Sequence, residues 1–300
     1  FGGGGERIAV ESPWYANMLQ LMRVAGARLV PVAMAEGLGG WDVDRWRQVL
    51  REAAPRIAYV VADFHTPTGA LADDDQRRRL VDAARSAGTV LVADETMSEL
   101  WLDDDVEMPR PVCGFDPAGS TVITVGSASK AFWAGMRIGW VRAAPDVIRS
   151  LVAARAYADL GTPVLEQLAV NWLFSTGGWA QAVELRRAQA RENREALVTA
   201  VRRELPEWEF EVPKGGLTLW VRAGGLSGSR LAEAGERVGV RVPSGPRFGV
   251  DGAFEGYVRL PFTVGGAVAD EAATRLAAAA RLVEAGVSGG NAEAPRTFVA

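Results

Sequence analysis

The 33 Lys and Arg residues of this 300-residue chain include only two lysines, Lys130 and Lys214. A sequence that answers nearly every need for positive charge with arginine keeps lysine where guanidinium cannot serve. The main such need is a nucleophilic amine that can lose its proton. Lys130 lies in Val125-Gly126-Ser127-Ala128-Ser129-Lys130, directly after an apolar, β-branched run at 121–125 that reads as a buried strand. Open α/β sheets place ligands at the carboxyl ends of their strands, which makes Lys130 a candidate covalent attachment point. Lys214, in Pro213-Lys214-Gly215-Gly216, reads instead as surface charge.

Other strand-end positions join Lys130. Thr66-Pro67-Thr68-Gly69 follows the strand that ends in Val60-Val61, Asp94 closes the run at 90–93, Arg137 comes seven residues after Lys130, and Arg259 sits in Val258-Arg259-Leu260-Pro261-Phe262. Alone, each has an ordinary reading: a turn, a helix cap, an exposed strand arginine. Together they offer an amine, an acid and anion-binding groups. His65, the sole histidine, reads as a packed residue at a strand end, because the constellation already has its base in Lys130.

The elements that must position these groups alternate through the first half. Strands are expected at 8–10, 28–32, 57–61 and 89–93, and helices at 15–24, 43–53 and 74–87. This βαβα order predicts an α/β fold with a mostly parallel sheet and helices on both faces. After Trp140 come long helices at 145–160 and 163–205, interrupted near 176–178. A smaller C-terminal α+β unit follows, with strands at 208–212, 216–221 and 257–260 and helices at 229–238 and 267–284. Residues 1–190 are expected to form the large unit and 191–300 the small one. Asp73-Asp74-Asp75 before Gln76-Arg77-Arg78-Arg79 reads as a helix start rather than a metal cluster, and Asp103-Asp104-Asp105 as a solvated loop.

A hydrophobic content of 48% supports a large core. Net charge −4 and a sequence pI near 5.3 give no basic footprint for nucleic acid. Cys113 is the only cysteine, so an internal disulfide or a cysteine zinc cluster is excluded and a reducing cytoplasm is the simplest setting. No apolar run approaches membrane-spanning length. Gly2–Gly5 precede a strand rather than follow one, which reads as a turn and not a phosphate loop. The start on Phe1 suggests a chain that begins inside a larger product, and the tail from Ser288 reads as frayed.

From Arg7 to about Val283 the chain resembles the fold-type I pyridoxal 5′-phosphate (PLP) enzymes, specifically the class I and II aminotransferases. Asp94 follows Thr66 by 28 residues and Lys130 follows Asp94 by 36, spacings that agree with the family. Gly135-Met136-Arg137-Ile138-Gly139-Trp140, Val10-Glu11-Ser12-Pro13-Trp14-Tyr15 and Arg247-Phe248-Gly249 look like the branch holding 2-aminoadipate-type aminotransferases and the C-terminal domains of MocR-type regulators of the GntR superfamily. The resemblance implies that Lys130 forms the imine with the cofactor and that Asp94 pairs with its ring nitrogen. It implies too that Tyr15 stacks on the ring, that Ser127, Ser129 and Arg137 hold the phosphate, and that Arg259 grips the substrate carboxylate. It also implies a homodimer, and a glycine-rich phosphate turn upstream of Phe1. Two positions depart from the pattern. Thr66 stands where the family usually has Asn, and Met97 where it has Tyr, both of which donate to the cofactor's 3′-oxygen. Two readings follow. In one the chain is the amino-acid-sensing domain of a MocR-type regulator whose DNA-binding domain lies upstream; in the other it is a working aminotransferase.

Overall fold

A computed structural model describes residues 5–35, 40–286 and 298–299. Gly2 to Gly4 and most of the tail from Ser288 lie outside the described residues; Gly5 is in a turn. One sheet runs in the order β2-β1-β3-β4-β5-β6. It comprises β1 (Arg7–Ser12), β2 (Arg28–Ala33), β3 (Ile57–Val60), β4 (Val90–Asp94), β5 (Val122–Ser127) and β6 (Gly139–Arg142). All pairings are parallel except β5 with β6. The α/β architecture is therefore the one expected, with an antiparallel edge strand that the apolar pattern did not announce.

Alternation along the strands sends successive side chains to opposite faces. Ala9, Ala58, Val60, Leu91 and Ala93 pack against α2 (Val43–Ala53) and α3 (Asp74–Ala87) through Trp46, Leu50, Leu80 and Val81. Ile8, Val10, Tyr59 and Val61 meet Trp14 and Leu19 at the start of α1 (Ala16–Val24). Local chemistry sets the helix ends. Asp73 accepts from the Gln76 backbone N–H at 2.7 Å while the Gln76 side chain accepts from the Asp73 N–H, and α3 ends at Gly88 with φ 66°.

The one-turn α4 (Ala128–Ala131) leads from β5 toward β6, and beyond β6 come α5 (Pro145–Ala158), α6 (Val164–Thr176) and the long α7 (Gly178–Glu204). The rest contains β7 (Thr218–Arg222), α8 (Gly228–Arg237), β8 (Val240–Arg241), β9 (Tyr257–Pro261) and α9 (Gly266–Glu284). The strand expected at 208–212 is absent. Only Glu209 bridges Arg222, and Phe210 and Val212 pack on the core from an irregular segment bracketed by Pro206 and Pro213. Alternating Glu and apolar residues satisfy half-burial there without a ladder.

Asp103, Asp104 and Asp105 lie in a solvated loop, as expected, and each is also paired with a cation. They pair with Arg194 at 2.6 Å, Arg191 at 3.0 Å and Lys214 at 2.6 Å, binding the loop after β4 to α7 and to the segment before β7. Arg77, 1% exposed, pairs with Asp63 at 2.6 Å and donates to the carbonyls of Ala72 and Arg110, so it anchors the loop after β3. No helix among the described residues is long and apolar enough to cross a membrane.

Candidate active site

The carboxyl ends of β3, β4 and β5 lie side by side, and the even-numbered residues Val92 and Asp94 share the face of Tyr59 and Val61. Asp94 is the last residue of β4. Its Oδ2 accepts from the Tyr59 hydroxyl at 2.7 Å and its Oδ1 from the Thr96 backbone N–H at 2.9 Å. The carboxylate is thus oriented from two sides before any ligand arrives. Burial first, and then the Asp94 charge, push the Tyr59 phenol far above its ordinary value, so it acts only as a donor.

Ser127 ends β5 and caps the turn that carries Lys130. Its Oγ accepts from the Ser129 backbone N–H at 3.0 Å, and its hydroxyl donates to the Ile138 carbonyl at 3.3 Å. The Ala128 N–H reaches the same carbonyl at 3.0 Å, tying the lysine turn to the Arg137 segment. Gly126 is required here, because a Cβ would fall inside the indole of Trp140, its cross-strand partner on β6. Arg137 has φ 52°, in the left-handed region that a non-glycine residue occupies only where its surroundings hold it there.

The opposite wall comes from the C-terminal part. β7 and β9 pair antiparallel with Trp220 opposite Arg259 and Thr218 opposite Pro261. Leu219, Val221, Val258 and Leu260 turn into the core, so Thr218, Trp220, Arg259 and Pro261 take the other face. Tyr15 stands at the entry of α1, where the Trp14 N–H bonds the Phe248 carbonyl at 2.8 Å.

These walls enclose a cavity of about 620 Å³. Tyr15, Thr66, Asp94, Ser127, Ser129, Lys130, Arg137 and Arg259 all line it, so every residue singled out from the sequence as a site candidate reaches one space. Met97, 6% exposed, lines it too. Thr96, Leu217, Thr218 and Thr263 also contribute and were not anticipated; nor was Tyr59 behind Asp94. Tyr59 carried a signal, a hydroxyl in the otherwise apolar β3. Lys214 lies elsewhere, exposed and paired with Asp105.

The cavity's charge is unbalanced. Lys130, Arg137 and Arg259 form no ion pair with any described residue, and Arg259 Nε is buried without a hydrogen-bond partner. Arg77, Arg187, Arg191 and Arg194 all have carboxylates. Burial first, and then the Arg259 charge, push the Lys130 ammonium below the ordinary lysine range, with Arg137 adding to the effect and Asp94 opposing it. A cavity with two such arginines, one oriented carboxylate and an amine biased toward its neutral form suits an anionic ligand with an electrophilic carbon.

Comparison with known proteins agrees with this chemistry. The family model "Aminotransferase class I and II" matches residues 2–276. A 2-aminoadipate transaminase of Thermus thermophilus is 33% identical over 262 residues, 86% of this chain and 65% of the relative. An uncharacterized HTH-type transcriptional regulator of Bacillus subtilis, YdfD, is 31% identical over 221 residues, 73% of this chain and 44% of the relative. The chain therefore spans less than two thirds of the length of these curated relatives. Among solved structures, the alpha-aminoadipate aminotransferase LysN of Thermus thermophilus, complexed with N-(5'-phosphopyridoxyl)-L-leucine, superposes with a TM-score of 0.86 at 31% identity, covering 96% of this chain and 74% of that one. By sequence and by fold, the chain belongs to the PLP-dependent class I and II aminotransferase family, whose members include both enzymes and HTH-type regulators.

Proposed function

We propose that this chain binds PLP through Lys130 and takes an amino acid at Arg259, serving as the effector-sensing domain of a MocR-type regulator of the GntR superfamily. The observation that carries the sensing role is Met97. It lines the cavity three residues after Asp94, where it can donate no hydrogen bond. The groups lining the cavity fit the cofactor: Arg137, Ser127 and Ser129 would hold its phosphate, Asp94 a proton on its ring nitrogen, and Tyr15 its ring face. Bound PLP supplies an electron sink for charge developing at the amino acid's Cα. Lys130 Nζ provides the attachment point and moves the Cα proton. Arg259 offers a planar fork to the carboxylate.

A second reading, catalytic transamination of an α-amino acid with a 2-oxo acid, is supported by the Lys130, Asp94 and Arg259 set and by the 33% identical transaminase. In either reading residues 1–190 are the cofactor-bearing unit and 191–300 the smaller one. The chain pairs with a second copy in a reducing, cytoplasmic setting, with DNA contacted only through a domain outside this chain. Apolar side chains left exposed on α5 and α6, among them Val152, Val164, Leu165 and Trp172, support the pairing; sedimentation of the complete protein showing only monomer with PLP bound refutes it. Borohydride reduction of the PLP-loaded complete protein followed by peptide mass mapping tests the core of the proposal. Label on Lys130 is expected; label on Lys214 alone, or none, overturns it.

A further inference from the structure

The only histidine and a glutamate of β1 meet in the core behind the cavity and line no part of it. Glu11 and His65 are both 0% exposed. Glu11 Oε1 accepts from Trp41 Nε1 at 2.6 Å and from the Val61 backbone N–H at 2.9 Å. Its Oε2 lies 3.3 Å from His65 Nε2, off hydrogen-bond geometry, and neither atom has a hydrogen-bond partner. The second ring nitrogen, Nδ1, is 2.8 Å from Thr68 Oγ1, which also accepts from the Ala70 N–H at 3.3 Å. One proton arrangement fits these contacts. Thr68 donates to Nδ1, and Nε2–H faces the Glu11 carboxylate.

Such a network has a cost, since a buried carboxylate is seldom more stabilising than apolar residues of similar volume. Its effect is to fix a place. It clamps β1, the residue after β3 and both sides of Thr66, because His65 and Thr68 flank that residue in one tight loop closed by His65 N–H to the Ala70 carbonyl at 2.7 Å. Thr66 lines the cavity, and its hydroxyl has no hydrogen-bond partner among the described residues. A threonine arm is short, so its reach is decided by where the backbone stands.

We propose that Glu11 and His65 are positioning residues that set the Thr66 hydroxyl against the bound cofactor. This rests on the reading that the cavity takes PLP. A lone histidine makes the first test direct. In complete protein labelled with ¹⁵N-histidine, the ring should carry its proton on Nε2. Glu11→Gln, whose amide offers a donor to that nitrogen, should move the proton to Nδ1. A native ring protonated on Nδ1 overturns the network.

The second test is a double-mutant cycle read in the absorbance and dissociation of bound PLP. His65→Leu should shift the cofactor band and weaken PLP binding by about tenfold, a coupling in the range found within one network. In a Thr66→Val background it should change neither, while its loss of thermal stability is the same in both backgrounds. Equal spectral effects in both backgrounds overturn the proposal and leave the PLP reading standing; a native protein with no cofactor band at all overturns both. If His65→Leu does not fold, Glu11→Gln takes its place in the cycle.

Discussion

Replacing Arg259 by leucine removes a guanidinium that is buried without a carboxylate, and three consequences can be worked out. Burial pushes this arginine below its ordinary range, with Arg247 adding to that and Tyr15 opposing it, so without ligand the charge is a liability. Its loss should raise stability by about 0.5–2 kcal/mol, the usual gain when a functional strain is relieved. With an unfolding entropy of roughly 2.1 cal/mol/K per residue, a chain of this size gains about 1–3 °C in Tm. Amino-acid binding should move the other way. Loss of hydrogen bonds to a charged carboxylate, about 1.5–3 kcal/mol, weakens affinity about 13- to 160-fold. Arg259 is also the largest charge holding Lys130 down. The leucine variant therefore has a smaller neutral fraction of Lys130 at neutral pH and captures PLP more slowly. Arg259→Lys separates these effects, keeping the charge near Lys130 while losing the planar fork. The assays are thermal unfolding without ligand, absorbance titration of the PLP-loaded protein with amino acids, and capture kinetics. Affinity of the leucine variant within twofold of native refutes the assignment.

Met97→Tyr combined with Thr66→Asn should speed conversion of bound cofactor to pyridoxamine phosphate in single-turnover absorbance; a native protein that already turns over at about 1 s⁻¹ or faster removes the support Met97 gives to sensing. Arg77→Met leaves Asp63 buried and unpaired, and should cost about 3–5 kcal/mol, seen as a Tm lower by about 5–8 °C. A fall of less than about 2 °C contradicts the anchoring role. Glu95 is pushed from an ordinary 4.5 up to about 7, by burial first and then by the Asp63 charge. The folded state then holds this proton more tightly than the unfolded chain, so stability declines as pH climbs from 4.5 to 7. Glu95→Gln should flatten Tm over that window, and an unchanged slope refutes the shift.

What could be read in advance followed the range of the forces involved. The limits of α3 were legible because Asp73, Gln76 and Gly88 act within a few residues of their own peptide groups. Thr66, Asp94 and Ser127 could be grouped because parallel neighbours align their carboxyl ends, a rule of topology rather than of any contact. Arg259 joined them through its motif, and only the pairing of β7 with β9 shows which face carries it. The irregular run at 208–212 defeated the pattern because half-burial against a core looks like half-burial in a sheet. β6 escaped because its exposed Gly-Trp-Val-Arg has no alternation, and its place depends on Trp140 lying across Gly126. The partners of Glu11, from Trp41 to His65, are up to 54 residues away in sequence, and no local signal links them.

The interlock around Phe64 bears on how the cleft can open. A Cβ at Gly215 would collide with the Phe64 ring and the Leu100 carbonyl, and one at Gly69 with Pro213. Gly216 N–H bonds the Leu100 carbonyl at 2.8 Å, Leu102 N–H the Lys214 carbonyl at 2.8 Å, and Thr218 Oγ1 the Pro67 carbonyl at 3.1 Å. Phe64, Met97, Leu100 and Leu102 belong to the same apolar cluster as Leu219, Val258 and Leu260. The wall bearing Thr66 and the wall bearing Arg259 are thus bolted into one body, with no hinge between them. A swing that parted them would expose core, so the distance between these two walls is held fixed and acts as a gauge for the length of molecule the cavity admits.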